Sequence, residues 1–199
     1  MKLLYTGNSP YARRARLAVY ITGLIGRVEQ VDISPRGDNL DQLLAHGPSA
    51  KVPLLVTDSG LGICESLIIT QYLSALAGGA LYPADPEALE LELQVESIGS
   101  ALMDSLFVRA RENRREASIK SQEVIDLEAA RASRCYEALE RSVGQLDANR
   151  AGGIVTASSL GYADWRHPHD GWRDSCPGLA HWFADTSKII VYAGTAPVF

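Results

Sequence analysis

With 199 residues, 46% of them apolar and 22% charged, the chain has the size of one large or two small globular domains and enough apolar side chains for a packed core. A formal net charge of −5 argues against a general nucleic-acid or anionic-membrane surface, and no apolar run approaches the roughly 18 residues of a membrane span. The N-terminus lacks a signal-peptide pattern, so a cytoplasmic location is expected. The three cysteines, Cys64, Cys135 and Cys176, are widely spaced with no C-x-x-C, which speaks against a disulfide framework or structural zinc.

The first eighty residues alternate strand and helix patterns. "KLLY" at 2–5 reads as a short apolar strand, and 10–24 as a helix with Leu17, Tyr20, Ile21 and Leu24 on one face. "RVEQVDI" at 27–33 alternates at period two and reads as a second strand. "DNLDQLLAH" at 38–46 is a short helix with a polar start, ended by Gly47-Pro48. "VPLLVT" and "LGICE", on either side of "DSG", predict a hairpin, and a helix follows from Ser66 to Leu76, stopping at Gly78-Gly79. The order β-α-β-α-β-β-α implies a parallel pair joined by a crossover, plus an antiparallel hairpin, in one small mixed sheet flanked by helices.

After "GGALYPADPEA" strand signals become scarce. Asp85-Pro86 reads as an N-cap with a first-turn proline. Two long helical patterns follow to about Leu146, broken near 114–120, and then shorter apolar segments at 154–165 and 177–186. The expected organisation is an α/β domain over 1–78, a linker over 79–85 and an all-helical domain over 86–199.

Three stretches carry chemistry. Ser9, directly before Pro10, either caps the first helix or presents its hydroxyl to a reacting group. Pro53 before a strand gives up a ladder donor. A cis Val52-Pro53 bond would leave the N–H and C=O of Val52 to pair with an extended, peptide-like ligand, whereas a trans proline at a strand start is the plain alternative. Glu65 and Ser66 sit where a strand hands over to a helix. There the helix N-terminus suits a carboxylate and Glu65 suits an ammonium, or the pair is simply a cap with a first-turn acid. Cys64, in an apolar run, is expected to be a small buried hydrophobe.

The strand–"SP"–helix opening, "KVPLL" and "CESLIITQYL", in this order and spacing, resemble a cytosolic glutathione transferase of the serine type. The resemblance is strong over 1–78 and rests on pattern alone over 86–199. It implies a thioredoxin-like α/β domain followed by an all-α domain, with glutathione as cosubstrate, no metal or prosthetic group, and a homodimer acting on a small electrophile. Carried over by motif, Val52, before a cis Pro53, would pair with the cysteinyl unit of glutathione. Glu65 and Ser66 would hold its γ-glutamyl head, and Lys51 would approach the glycyl carboxylate unless it is a solvated loop lysine. Ser9 would contact the sulfur. Tyr5 is the other hydroxyl in reach of that role, as in tyrosine-type classes. Tyr11, Phe107 and Arg109 would border the electrophile pocket.

The chemistry asked of Ser9 is modest. A thiol with a pKa near ~8.5 is mostly protonated at neutral pH, and lowering that value by about two units takes roughly 2.7 kcal/mol. A hydroxyl hydrogen bond and the field of the helix N-terminus supply stabilisation of that kind without a general base. Rival chemistries fit less well. No G-x-S-x-G surrounds Ser9, and the histidines (His46, His167, His169, His181) lie far along the chain. The His167-x-His169 pair lacks companion metal ligands and reads as a surface loop. A non-catalytic binding protein of the same fold stays open, and a thiol reductase is disfavoured by serine in place of cysteine.

One departure from the family stands out. The buried helix of the second domain usually opens on a Ser/Thr-x-x-Asp capping box, whereas this chain has Arg150 and Gly153, within "NRAGGIV". The expected consequence is a ragged helix start, or one delayed by one to three residues.

Overall fold

The structure is a computed structural model that describes residues 1–34, 37 and 39–197. Its contacts divide the chain into two compact units. The first is Met1–Ala84 together with the segment starting at Ile190, and the second is Asp85–Ile189. The chain therefore returns to the first unit at its end, where the sequence pattern had placed everything from 86 to 199 in the helical part.

The first unit is a four-stranded sheet in the order β2-β1-β3-β4, with β1 Lys2–Tyr5, β2 Glu29–Asp32, β3 Leu54–Val56 and β4 Gly62–Ile63. β1 runs parallel to β2, with Leu4 opposite Val31, and antiparallel to β3, with Leu4 opposite Leu54. β3 and β4 form the antiparallel hairpin, shorter than the pattern suggested. Side chains alternate across the strands, so both faces carry apolar residues. Leu4 and Leu54 pack with Ile33 and Leu43 on one face, joined by Cys64, which is half-buried.

Helix α1 spans Pro10–Ile21, α2 Leu40–Leu44 and α3 Ser66–Leu76, with α1 packed on α3. α1 ends before 24 because Gly23 takes a left-handed conformation (φ 71°) that starts a short 3-10 turn. Asp38, at the polar start of the second predicted helix, lies outside the described residues.

The second unit is helical throughout its described elements: α4 Pro86–Asn113, α5 Gln122–Arg141, α6 Ala151–Arg166, α7 Trp172–Ser175 and α8 Pro177–Thr186. The short α9, Ile190–Ala193, belongs to the first unit. Asp85 accepts from the Ala88 N–H at 2.9 Å, which gives α4 the predicted cap. Every residue of α6 from Ala151 to Leu160 is buried, and α4 packs against it as well as against α5. The close approach of α4 and α6 needs small residues, since a Cβ on Gly99 would stand 2.7 Å from Val155 Cγ1. Ser158 and Ser159 return their hydroxyls to backbone carbonyls one turn back, so they cost little in that dry setting.

The start of α6 corrects the expectation of a late helix. It begins at Ala151, directly after Arg150, and the Arg150 side chain makes no cap bond. The cap comes from another helix. Glu92 of α4 accepts from the Gly152 N–H at 2.5 Å, bringing a carboxylate to the end where the helix dipole favours one. α8 is treated the same way, with Glu140 of α5 accepting from the N–H groups of Gly178 (2.9 Å) and Leu179 (2.6 Å). Two helices that lack a local cap thus borrow one from a neighbour they already pack against.

Burial holds the Glu92 carboxyl above its ordinary range, partly opposed by the Gly152 hydrogen bond and reinforced by Glu96. The folded state then binds this proton to higher pH than the unfolded chain. Its contribution to stability is largest below the usual carboxylate range and falls as pH rises through the raised value. Glu92→Gln keeps an acceptor and is expected to flatten that fall in a stability-versus-pH series. Glu92→Ala leaves the Gly152 N–H unsatisfied and should cost about 1–3 kcal/mol in denaturant unfolding.

Candidate glutathione site

Three segments of the first unit finish at one end of its sheet. β1 runs into Ser9. β3 is antiparallel to it, so the residues that precede Leu54, namely Lys51, Val52 and Pro53, lie where β1 ends. β4 is antiparallel to β3, with Leu55 opposite Ile63, so Cys64, Glu65 and Ser66 emerge at that same end. The topology thus gathers Ser9, Lys51, Val52, Pro53, Glu65 and Ser66, drawn from separate stretches of sequence.

Ser9 is the N-cap of α1. Its Oγ accepts from the Ala12 N–H at 3.2 Å, and its own N–H donates to Thr6 O at 3.2 Å. A hydroxyl that accepts through a lone pair still has its proton to give. Capping and donation are therefore compatible at this residue.

The Val52-Pro53 bond is cis, and among the described residues no hydrogen bond reaches the N–H or C=O of half-buried Val52. Lys51 is exposed on the approach to it and forms no ion pair with any described residue. Glu65 occupies the N-cap position of α3 with φ 66° and ψ 119°, left-handed for a side chain with a Cβ, and it gives α3 no cap. Backbone held in such a region costs about 1–3 kcal/mol and concentrates at functional sites. Ser66 opens the helix at 5% exposure, and its hydroxyl has no partner among the described residues. The first turn of α3 thus offers backbone N–H groups and a hydroxyl to an anion, beside an exposed carboxylate suited to a cation.

Tyr5, the alternative to Ser9, carries the Arg16 guanidinium on its ring face, 4.3 Å from the centroid. Arg16 is in turn fixed by Gln30 at 3.1 Å. Arg13, Arg14 and Arg16 are all buried on α1, although the run "RRAR" has the composition of a solvated helix face. No spacing rule in the sequence singles them out.

Tyr11 lies in the first turn of α1, half-buried, whereas Phe107 and Arg109 stand on α4 of the other unit. Arg111 lies over the Phe107 ring, 5.9 Å from its centroid. Arg109 is 5% exposed and ion-paired with Asp170, which also accepts from the Tyr136 hydroxyl at 3.3 Å. His167 is buried beside them with Nε2 2.9 Å from Leu106 O, and burial pulls its pKa down. Arg109 is thereby committed to holding the 167–171 turn onto α4. Among the described residues no three His, Cys, Asp or Glu side chains gather as metal ligands would. No described helix is long and apolar enough to cross a membrane.

A thioredoxin-like mixed sheet with a cis-proline loop, followed by an all-helical region, defines the glutathione-transferase class of fold. Residues 3–81 match the model of the glutathione S-transferase N-terminal domain. The chain is 28% identical to the uncharacterized GST-like protein YibF of Escherichia coli (strain K12), over 99% of its own length and 98% of that protein's. A glutathione transferase family member from Pseudomonas fluorescens Pf-5 with bound glutathione superposes with a TM-score of 0.91 at 26% identity, covering 100% of this chain and 99% of that one. A structure of a family member from the same strain, with bound S-(propanoic acid)-glutathione, gives 0.89 at 26% identity and covers both chains fully. Residues 3–81 thus carry a glutathione S-transferase N-terminal domain, and over its whole length the chain has the fold of the glutathione transferase family members from Pseudomonas fluorescens.

Proposed function

We propose that the protein binds glutathione at the end of its sheet and transfers the thiolate to a small electrophile. The observation that carries this reading is the convergence of Ser9, Val52 and the Glu65-Ser66 helix start on one sheet end. Each offers the chemistry that one part of an extended γ-glutamyl peptide needs. Val52 pairs with the cysteinyl backbone through its N–H and C=O. The α3 N-terminus and Ser66 take the γ-glutamyl carboxylate, Glu65 its ammonium, and Lys51 the glycyl carboxylate. With the peptide so held, the sulfur lies at the α1 N-terminus, where the Ser9 hydroxyl donates to the thiolate and the helix field favours negative charge. The thiolate attacks the electrophilic carbon, the leaving group departs with the electron pair, and no general base is required of Ser9.

Tyr11, half-buried in the first turn of α1, is the proposed electrophile contact of the first unit. Cosubstrate use of glutathione, without metal, is part of the same proposal, as are detoxification as the role and the cytoplasm as the location. A homodimer fits the outward face of α3, where Leu67, Ile68 and Leu76 are 37%, 47% and 39% exposed. The Pseudomonas structures, with glutathione and an S-substituted glutathione, support this reading for a relative covering the whole chain.

The test is a paired assay with an activated aromatic halide and a low-molecular-weight disulfide, both with glutathione. Conjugation above the uncatalysed rate without disulfide reduction is expected. Tight glutathione binding with neither activity would move the protein to the non-catalytic binding class, and disulfide reduction alone would make it a reductase.

A further inference from the structure

The first turn of α1 is held from two directions. The backbone N–H of Arg13 donates to Ser9 O at 2.9 Å, the first hydrogen bond of the helix. The Arg13 guanidinium reaches the far end of the chain, where Nη2 donates to Tyr192 O at 3.0 Å. Both groups are sealed from solvent, with Arg13 4% and Tyr192 1% exposed. Thr195, 1% exposed, ties the same short segment by donating to Val191 O at 2.9 Å. α9 packs on α1, and both belong to the first unit. One residue thus joins the serine's own carbonyl to a segment about 180 positions downstream.

Burial draws the Arg13 guanidinium down to about 10, with Arg16 acting in the same direction and Tyr192 opposing. A cation kept in so dry a place is costly unless hydrogen-bonded, which makes the tail carbonyl an effective anchor for it. The anchor matters because a hydroxyl acting on a thiolate is effective over a few tenths of an ångström, and among the described residues the Ser9 hydroxyl itself is held by its cap bond alone, so its position follows the backbone of this turn.

We infer that the C-terminal segment 190–195, through Arg13, is a positioning element that sets the Ser9 hydroxyl for the glutathione sulfur, an inference that rests on the thiolate role of Ser9 proposed above. The tail touches no reacting atom. It fixes the turn that carries the donor.

The experiment reads the pKa of bound glutathione's thiol, by ultraviolet absorbance of the thiolate, in full-length Arg13→Met, Arg13→Lys and Tyr192→Ala, with Ser9→Ala beside them. Arg13→Met and Tyr192→Ala are expected to raise that pKa by about one unit, a tenfold loss of thiolate-to-thiol ratio, with glutathione affinity within about threefold of the parent. Arg13→Lys, which keeps a charged donor, should recover part of the shift. If thermal stability falls in these variants while the bound-thiol pKa stays at the parent value, the tail is merely structural and the inference is overturned. Should Arg13→Met fold poorly, Tyr192→Ala answers the same question from the tail side. If Ser9→Ala itself leaves the thiol pKa unmoved, the fault lies with the role given to Ser9; a shift in Ser9→Ala alone counts against the tail.

Discussion

Ser9→Ala is expected to lower kcat/KM for conjugation by about 10- to 150-fold, the equivalent of the roughly 1.5–3 kcal/mol of a hydrogen bond to a charged group. Glutathione affinity should change little, because in the proposed function the peptide is held mainly by Val52, Glu65, Ser66 and Lys51. The same substitution removes the cap acceptor for the Ala12 N–H and should cost about 1 kcal/mol of stability. Ser9→Asp and Ser9→Thr separate these two effects. Aspartate caps a helix as well as serine does but places an anion against the sulfur. It should regain stability over alanine while conjugation stays low and the bound-thiol pKa rises further. Threonine keeps both functions and should retain most of the activity. Full activity in Ser9→Ala would reduce Ser9 to a cap and pass the sulfur to Tyr5 or to a backbone N–H.

The second large effect is on stability. In Gly153→Ala, a Cβ would stand 2.0 Å from Asp147 O, a backbone atom that cannot swing away as a side chain would. Asp147 is itself held in place, accepting from the Arg150 N–H at 3.0 Å through its carbonyl and from the Asn149 N–H at 2.8 Å through its carboxylate. The added methyl must displace this turn or the start of α6, whose whole first half is buried. A loss of about 3 kcal/mol or more is expected, lowering the melting temperature by roughly 6–12 °C for a chain of this size. Gly144→Ala serves as the control, since among the described residues no atom beyond its chain neighbours lies within 4 Å of where a Cβ would stand. A silent Gly153→Ala would mean that the turn yields freely and that glycine is there for another reason.

Gly153 also shows where the sequence ceased to be legible. Two glycines and an arginine at a helix start look like a weak cap by every local rule, and local rules see only neighbours. What caps α6 is Glu92, sixty residues away, which in sequence is one more glutamate in an acidic stretch of α4. Likewise the apolar segment expected at 177–186 coincides with α8, while its cap, Glu140, gave no signal.

In the first unit the strand and helix order was readable. Period-two and period-3.6 patterns there are bounded by glycines and prolines, which mark where the short elements stop. The motif "SP", "KVP", "ES" was readable for the same reason, since each marks a strand end or helix start, where backbone chemistry depends on residue type. The buried arginines of α1 and the return of the chain at Ile190 were not. Arginine carries no mark of burial in its spacing, and a four-residue helix such as α9 is too short to show a period. Arg109 belongs with them, because its partner Asp170 lies in a loop that pattern alone does not place against α4.

In the proposed function this chain holds glutathione with its sulfur ionised at the α1 N-terminus. A pH titration of thiolate absorbance, with the unaltered protein saturated in glutathione, tests it most directly. One thiol per chain is expected, with a pKa about two units below the ~8.5 of the free thiol. A bound thiol that titrates like free glutathione, or no saturable binding at all, would contradict it.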